Sequence, residues 1–158
     1  MNLEHHYAVD IEWTGNRGTG TSDYRAYGRD HTLTAAGKPP IEGSADRVFH
    51  GDTDRWNPEE LLISALSQCH LLSYLHVAAS RGVVVTAYSD AAVGVMRQTD
   101  AGGGRFTSVT LRPVVTVADA AMVDEALAAH GEASEKCFIA ASVNFPVGHE
   151  PRILVAGA

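Results

Sequence analysis

The 158-residue chain is poor in sulfur nucleophiles: its cysteines are Cys69 and Cys137 alone. Two thiols in a chain without an export signal do not make a disulfide framework, so each is either a packed core residue or a redox-active one. No CxxC or HExxH pattern gathers the eight scattered histidines, which removes the usual zinc signatures. Nor is there a Lys/Arg cluster, and with a formal net charge of -7 the chain lacks the basic surface that phosphate backbones require. Nucleic acid is therefore excluded as a partner. Gly15, Gly18 and Gly20 are spaced wrongly for a dinucleotide fingerprint and precede a strand pattern, so they read as a turn and no cofactor is expected. No continuous run of about 18 purely apolar residues occurs, and Met1 to Trp13 lacks the layout of a secretion signal. The expectation is a cytoplasmic protein without a membrane partner.

What is present points to one α+β domain over residues 1–158, a size that can bury a core. Tyr7, Val9, Ile11 and Trp13 alternate with Ala8, Asp10 and Glu12 at the period of a half-buried strand, and "YRAYGRDHTL" resumes an extended pattern after the glycine turn, forming a hairpin. "AAGKPPIEGSAD" reads as a connector. Asn57 is placed to cap a helix, with Pro58 at its first position and Glu59 and Glu60 at the positive end of its dipole. That helix is expected to run to about Ser80, where Gly82 closes it. "VVVTAYSDAAVGVM" and "RFTSVTLRPVVTV" read as two strands joined by "TDAGGG". Asp119 is placed to cap a helix ending near Gly131, Ser134 to cap a short one after it, and "EPRILVAG" reads as a last strand. Antiparallel sheets packed on a long helix carrying Cys69 follow from this order.

On the helix, Leu62, Ala65, Leu66, Cys69, Leu72, Ser73 and His76 follow the steps of one stripe, which turns Cys69 inward. A buried thiol there is simple packing unless something ionises it. His70 cannot, because helical neighbours point about 100° apart. Cys137 follows Ser134 in "ASEKCFIAAS", near an expected helix start whose free N–H groups favour a thiolate.

The carboxylate ten positions before the first cysteine in "NPEELLISALSQCH", followed much later by "EKCFIAASV", resembles the OsmC/Ohr family of osmotically induced and organic hydroperoxide resistance proteins. The likeness runs from the turn near Gly15 to the second cysteine. It implies an intertwined α+β homodimer with active sites at the subunit interface. It further implies that Cys69 attacks a peroxide, that Cys137 resolves the sulfenic acid as a disulfide, and that Glu59 holds a catalytic arginine. "TGNRG" resembles the arginine turn of the organic-hydroperoxide branch and nominates Arg17, with Asn16 where that branch has glycine. Some osmotically induced members draw the arginine from the segment before the helix, which nominates Arg47. His70 replaces a common phenylalanine, so the chain is closer to a less characterised branch.

The chemistry explains the residue types. A free cysteine titrates at about 8.5 and burial raises that value, so a reactive thiolate needs a cation, and a carboxylate can fix an arginine's planar fork. Ten residues of helix put Glu59 about 15 Å from Cys69, too far to share one compact site within a chain unless the helix bends. The implied function is reduction of organic hydroperoxides to alcohols, with a dithiol reductant, by resemblance of the lipoyl type. The alternatives are a non-enzymatic relative that binds an apolar ligand and a thiol redox sensor.

Overall fold

The computed structural model describes residues 3–157. Within the span expected as one domain, the chain forms two compact units, Met1–Leu61 and Leu62–Ala158.

The first unit is an antiparallel meander of β1 (Asp10–Trp13), β2 (His31–Thr34) and β3 (Ile41–Gly43) in that order. The expected hairpin is present, with Asp10 opposite Thr34 and Trp13 opposite His31. β3 lies inside the stretch read as a connector, because Pro39 and Pro40 precede the strand and do not interrupt it. Much of "YRAYGRDHTL" is a loop, held by the indole N–H of Trp13 donating to the Gly28 carbonyl (2.9 Å) and by Gly28 N–H donating to the Gly15 carbonyl (2.8 Å). That approach requires glycine: a Cβ on Gly15 would stand 2.0 Å from the Gly28 oxygen. Among the described residues this unit has no buried large hydrophobic side chain, and Ile11 on β1 is 64% exposed. A sheet that covers no apolar face of its own lacks the main term that stabilises one.

The second unit is organised on α1 (Pro58–Ser80), whose first turns contain the boundary between the units. Its start is a reciprocal capping box: Asn57 Oδ1 accepts from Glu60 N–H (2.8 Å), and the Glu60 carboxylate accepts from Asn57 N–H (3.2 Å). Its end is a Schellman closure, in which Gly82 takes φ 72° while Val83 N–H donates to the Ala78 carbonyl (2.9 Å) and Gly82 N–H to that of Ala79 (3.2 Å). Both expected ends are met.

After α1 come β4 (Val85–Asp90), β5 (Val93–Gln98), β6 (Gly104–Leu111), β7 (Pro113–Val117), α2 (Val123–Glu135), β8 (Val147–His149) and β9 (Arg152–Val155). They build two sheets, ordered β4-β7-β9 and β5-β6-β8. The two strands expected here are thus each broken in two, and the break has a tertiary cause. The Asp90 carboxylate, at the end of β4, accepts the Arg112 N–H (2.7 Å) between β6 and β7 and satisfies a backbone donor that leaves the ladder. Each sheet also gains a parallel edge, β8 on β6 and β9 on β7, so the sheets are mixed where antiparallel ones were expected. Asp119 caps the 3-10 turn Ala120–Met122, accepting from Ala121 N–H (2.8 Å), whereas α2 itself starts at Val123 without the expected side-chain cap and runs through Gly131 to Glu135. The buried row Ala126, Ala129 and Ala133 carries it past a glycine that costs about 1 kcal/mol in a helix interior.

The inward stripe of α1 is Leu66, His70, Tyr74, Val77 and Ala78. This corrects the expected stripe: Leu72 is 65% exposed and His76 is exposed. The true stripe is rotated by about one residue, or 100°, because a histidine occupies a core position that hydropathy assigns to solvent. Cys69 consequently lies beside the core, half-buried. Tyr74, Val77 and Ala78 pack with Val115, Val117 and the alanines of α2, while Leu66 joins Val109 and Leu111. By length and composition α1 would also suffice to cross a membrane, and 28% of its most apolar window is buried within the chain.

His70 is fully enclosed and its Nε2 meets Nδ1 of buried His130 at 3.0 Å, with the His149 ring 4.3 Å from that of His70. Burial is the main cause that pushes His70 down to about 3 and His130 to about 4, with the nearby histidine rings adding to it. Both are therefore neutral when folded and free to protonate near 6.5 when unfolded, so their contribution to stability is intact above about pH 6.5 and is lost as pH falls toward 4. Urea unfolding should show a stability loss of about 1–2 kcal/mol per histidine between pH 7 and pH 5. His130→Gln should flatten that dependence.

Candidate functional site

The thiols that are far apart in sequence meet in space. The Cys137 thiol lies close enough to that of Cys69 for the second sulfur to perturb its ionisation. Ser73 Oγ–H, one turn beyond Cys69 on α1, donates to the Lys136 carbonyl (3.4 Å) and ties the two segments together beside the pair. Cys137 is 3% exposed, whereas Cys69 is half-buried. Cys137 follows the end of α2 and does not open a helix capped by Ser134, which lies within α2. Its sulfur accepts the Ala140 N–H (3.4 Å), a donor that favours the thiolate. Burial and the Cys69 thiol outweigh it and push Cys137 up to about 11, the opposite direction to the sequence expectation. The pair is thus asymmetric: one accessible sulfur beside one enclosed thiol that keeps its proton.

The neighbourhood is apolar and open. Leu72 is one turn from Cys69, and Phe138, directly after Cys137, is 81% exposed. Leu66, three residues before Cys69 on α1, is fully buried core. A separate cavity of about 490 Å³ lies between α1 and the β4–β5 segment, lined by Ser64, Ser67, Tyr88 and Asp90 among others, and includes neither thiol.

Arg17 belongs to the first unit. Asn16 shapes its loop: Oδ1 accepts from both Gly18 N–H (2.9 Å) and Gly20 N–H (3.0 Å), so an asparagine performs the turn where the resembled branch has glycine. Arg17 Nη2 lies 3.5 Å from Asp30 Oδ2, with the arginine side chain 62% exposed and the aspartate 18%. Arg47 is exposed on a 3-10 turn, Arg47–Phe49. Glu59, in the first turn of α1, is half-buried, and its Oε2 is enclosed without a hydrogen-bond partner among the described residues. Glu59 and Cys69 stand on one uninterrupted helix. Sequence reading missed Asp30, the Ala140 N–H and the His70–His130 pair; only Asp30 left a trace, as a carboxylate ahead of the second strand.

A mixed α+β fold thus brings Cys69 of its long helix beside Cys137 in the loop after α2. The profile of the OsmC-like protein family matches residues 50–150, and the chain belongs to that family. An OsmC-like protein of unknown function from Vibrio cholerae O1 biovar eltor str. N16961 is 30% identical, with a TM-score of 0.84 over 94% of this chain and 99% of that one. An organic hydroperoxide resistance protein from Elizabethkingia anophelis is 15% identical, with a TM-score of 0.70 over 98% and 99% of the two chains. One from Legionella pneumophila is 18% identical, with a TM-score of 0.69 over 98% and 99%. Among curated proteins none matches the sequence significantly.

The asymmetry of the pair is directly measurable. With iodoacetamide at pH 7 on the folded protein, mass mapping should find Cys69 modified at least ten times faster than Cys137, whose thiolate is about one part in ten thousand at that pH. Unfolding in urea should abolish the difference.

Proposed function

We propose that this protein is a thiol peroxidase that reduces organic hydroperoxides to alcohols, and the neighbouring pair of unlike thiols carries the reading. Cys69 sulfur attacks the distal oxygen of the hydroperoxide, the O–O bond breaks, and the alkoxide takes a proton to leave as alcohol. The sulfenic acid formed on Cys69 is then attacked by Cys137, whose thiol proton leaves with the hydroxyl as water as the disulfide closes. A dithiol of the lipoyl type restores both thiols and is itself oxidised to a disulfide. The high position of Cys137 suits this order, because a protonated partner does not compete for the peroxide.

Arg17 is the proposed cation for Cys69, and Glu59, with its unpartnered buried oxygen, is proposed to receive an arginine. The same chain is proposed to act as an intertwined homodimer. A first unit without a large buried apolar side chain, an exposed apolar β1, and a long helix with only 28% of its most apolar window buried all support cover by a second copy. The exposed Leu72 and Phe138 favour a peroxide with an apolar tail, which gains about 25 cal/mol per Å² of buried surface that hydrogen peroxide does not.

With a dithiol reductant, the wild type should consume cumene hydroperoxide with kcat/KM at least tenfold above that for hydrogen peroxide, and Cys69→Ser should abolish both. Sedimentation at micromolar concentration should give about twice 16.8 kDa. Equal rates for the two oxidants contradict the apolar-tail argument. A protein that retains a lipid-like molecule yet turns over neither oxidant is the non-enzymatic relative.

A further inference from the structure

We infer that Asp30 is the positioning residue for Arg17, holding its guanidinium over the bare backbone of Gly28. The inference rests on the proposed role of Arg17 and adds a second carboxylate to the one proposed at Glu59.

Three observations converge. Asp30 Oδ2 is 3.5 Å from Arg17 Nη2, and Asp30 is an anchored residue, its carbonyl accepting from Thr14 N–H (2.9 Å) just before β2 and its side chain mostly enclosed. Gly28 leaves the space in which the pair sits: a Cβ there would stand 2.5 Å from Asp30 Oδ2 and 2.7 Å from Arg17 Nη2. Gly28 is itself fixed by Trp13 and Gly15, so the floor of the clamp is rigid backbone. The remaining charged groups frame the same carboxylate. Arg55 Nε approaches Asp30 Oδ1 at 3.9 Å, and Asp30 is the main cause that raises the Asp52 carboxyl above its ordinary value. Arg17 and Asp52 then line one depression of about 380 Å³ with Arg25, Tyr27, Gly28, Arg29 and His50. Arg29 is committed elsewhere, donating to the Tyr27 and Tyr24 carbonyls (2.6 and 2.7 Å). Of the arginines that line this opening, Arg17 is the one in contact with Asp30 over Gly28. A long, exposed arginine loses rotamer freedom when fixed, and a preset carboxylate meets part of that cost before any thiolate is formed.

Charge alone and positioning predict opposite signs. Removing a carboxylate leaves the region more positive, which by charge alone makes a thiolate easier to form. Removing a clamp lets the arginine swing away, which makes it harder. The test is the rate and pH midpoint of Cys69 alkylation, a readout that needs no peroxidase turnover, in Asp30→Asn, Asp30→Glu and Gly28→Ala, each with and without Arg17→Met. Gly28→Ala changes no charge and meets only flexible side-chain ends, so it remains informative if Asp30→Asn fails to fold, as thermal melting will show. Expected are a roughly tenfold slower alkylation at neutral pH and a higher midpoint in Asp30→Asn and Gly28→Ala. Asp30→Glu should recover part of the rate, and neither effect should persist in the Arg17→Met background. Faster or unchanged alkylation in both variants, or effects that add to Arg17→Met, overturns the clamp. If Arg17→Met alone leaves alkylation unchanged, the arginine assignment falls and the clamp with it. If the alkylation pattern holds but no peroxide is consumed, the clamp stands and the peroxidase reading falls.

Discussion

One helix has to serve two environments at once. α1 inserts Leu66, His70, Tyr74 and Val77 into the core of the second unit while presenting Cys69 at its edge. A thiol on the buried stripe would be inert, and one on the opposite face would not meet Cys137. The edge position follows from the 100° step between Cys69 and His70: enclosing the histidine turns the cysteine partly outward. The buried imidazole therefore has a structural consequence that its chemistry does not suggest. It replaces an apolar core residue at the cost of acid stability and fixes the rotation of the helix about its axis.

The contact between the thiols then makes the two unlike. Enclosure and the neighbouring sulfur hold Cys137 protonated. What the pair does not contain is a cation, and the first unit holds an arginine on a loop built for close approach of Gly15 and Gly28. That loop spends its backbone freedom on geometry: Asn16 ties two amide groups, Trp13 a carbonyl, and Asp30 the guanidinium. Such fixed polar detail in a unit without an apolar core is more readily understood as service to a site than as a source of stability.

The sequence made the helix legible because its signals are local. Asn57, Pro58 and Gly82 act within a turn of themselves and stand as read, while Glu60, read only as a charge at the positive end of the dipole, also accepts the Asn57 N–H. The strands were less legible because Asp90 reaches Arg112 across the fold, and no local rule anticipates a carboxylate that ends one strand by satisfying the donor of another. The rotation of α1 was hidden for a related reason: hydropathy places histidine outside, and only the packing of His130 against it moves it in. At the site, the two cysteines were found by type and spacing, and their contact is tertiary. Cys137 was misjudged electrostatically because its helix was expected to begin where α2 in fact ends. Asp30 carried no motif at all.

The central claim is that Cys69 and Cys137 act in sequence on one hydroperoxide. It is tested most directly by treating the reduced protein with one equivalent of cumene hydroperoxide, quenching within a turnover, and measuring intact and peptide masses. The account predicts loss of two hydrogens per chain and a peptide pair joined through Cys69 and Cys137. A chain that gains oxygen on Cys69 while Cys137 stays free, or that remains fully reduced, contradicts it.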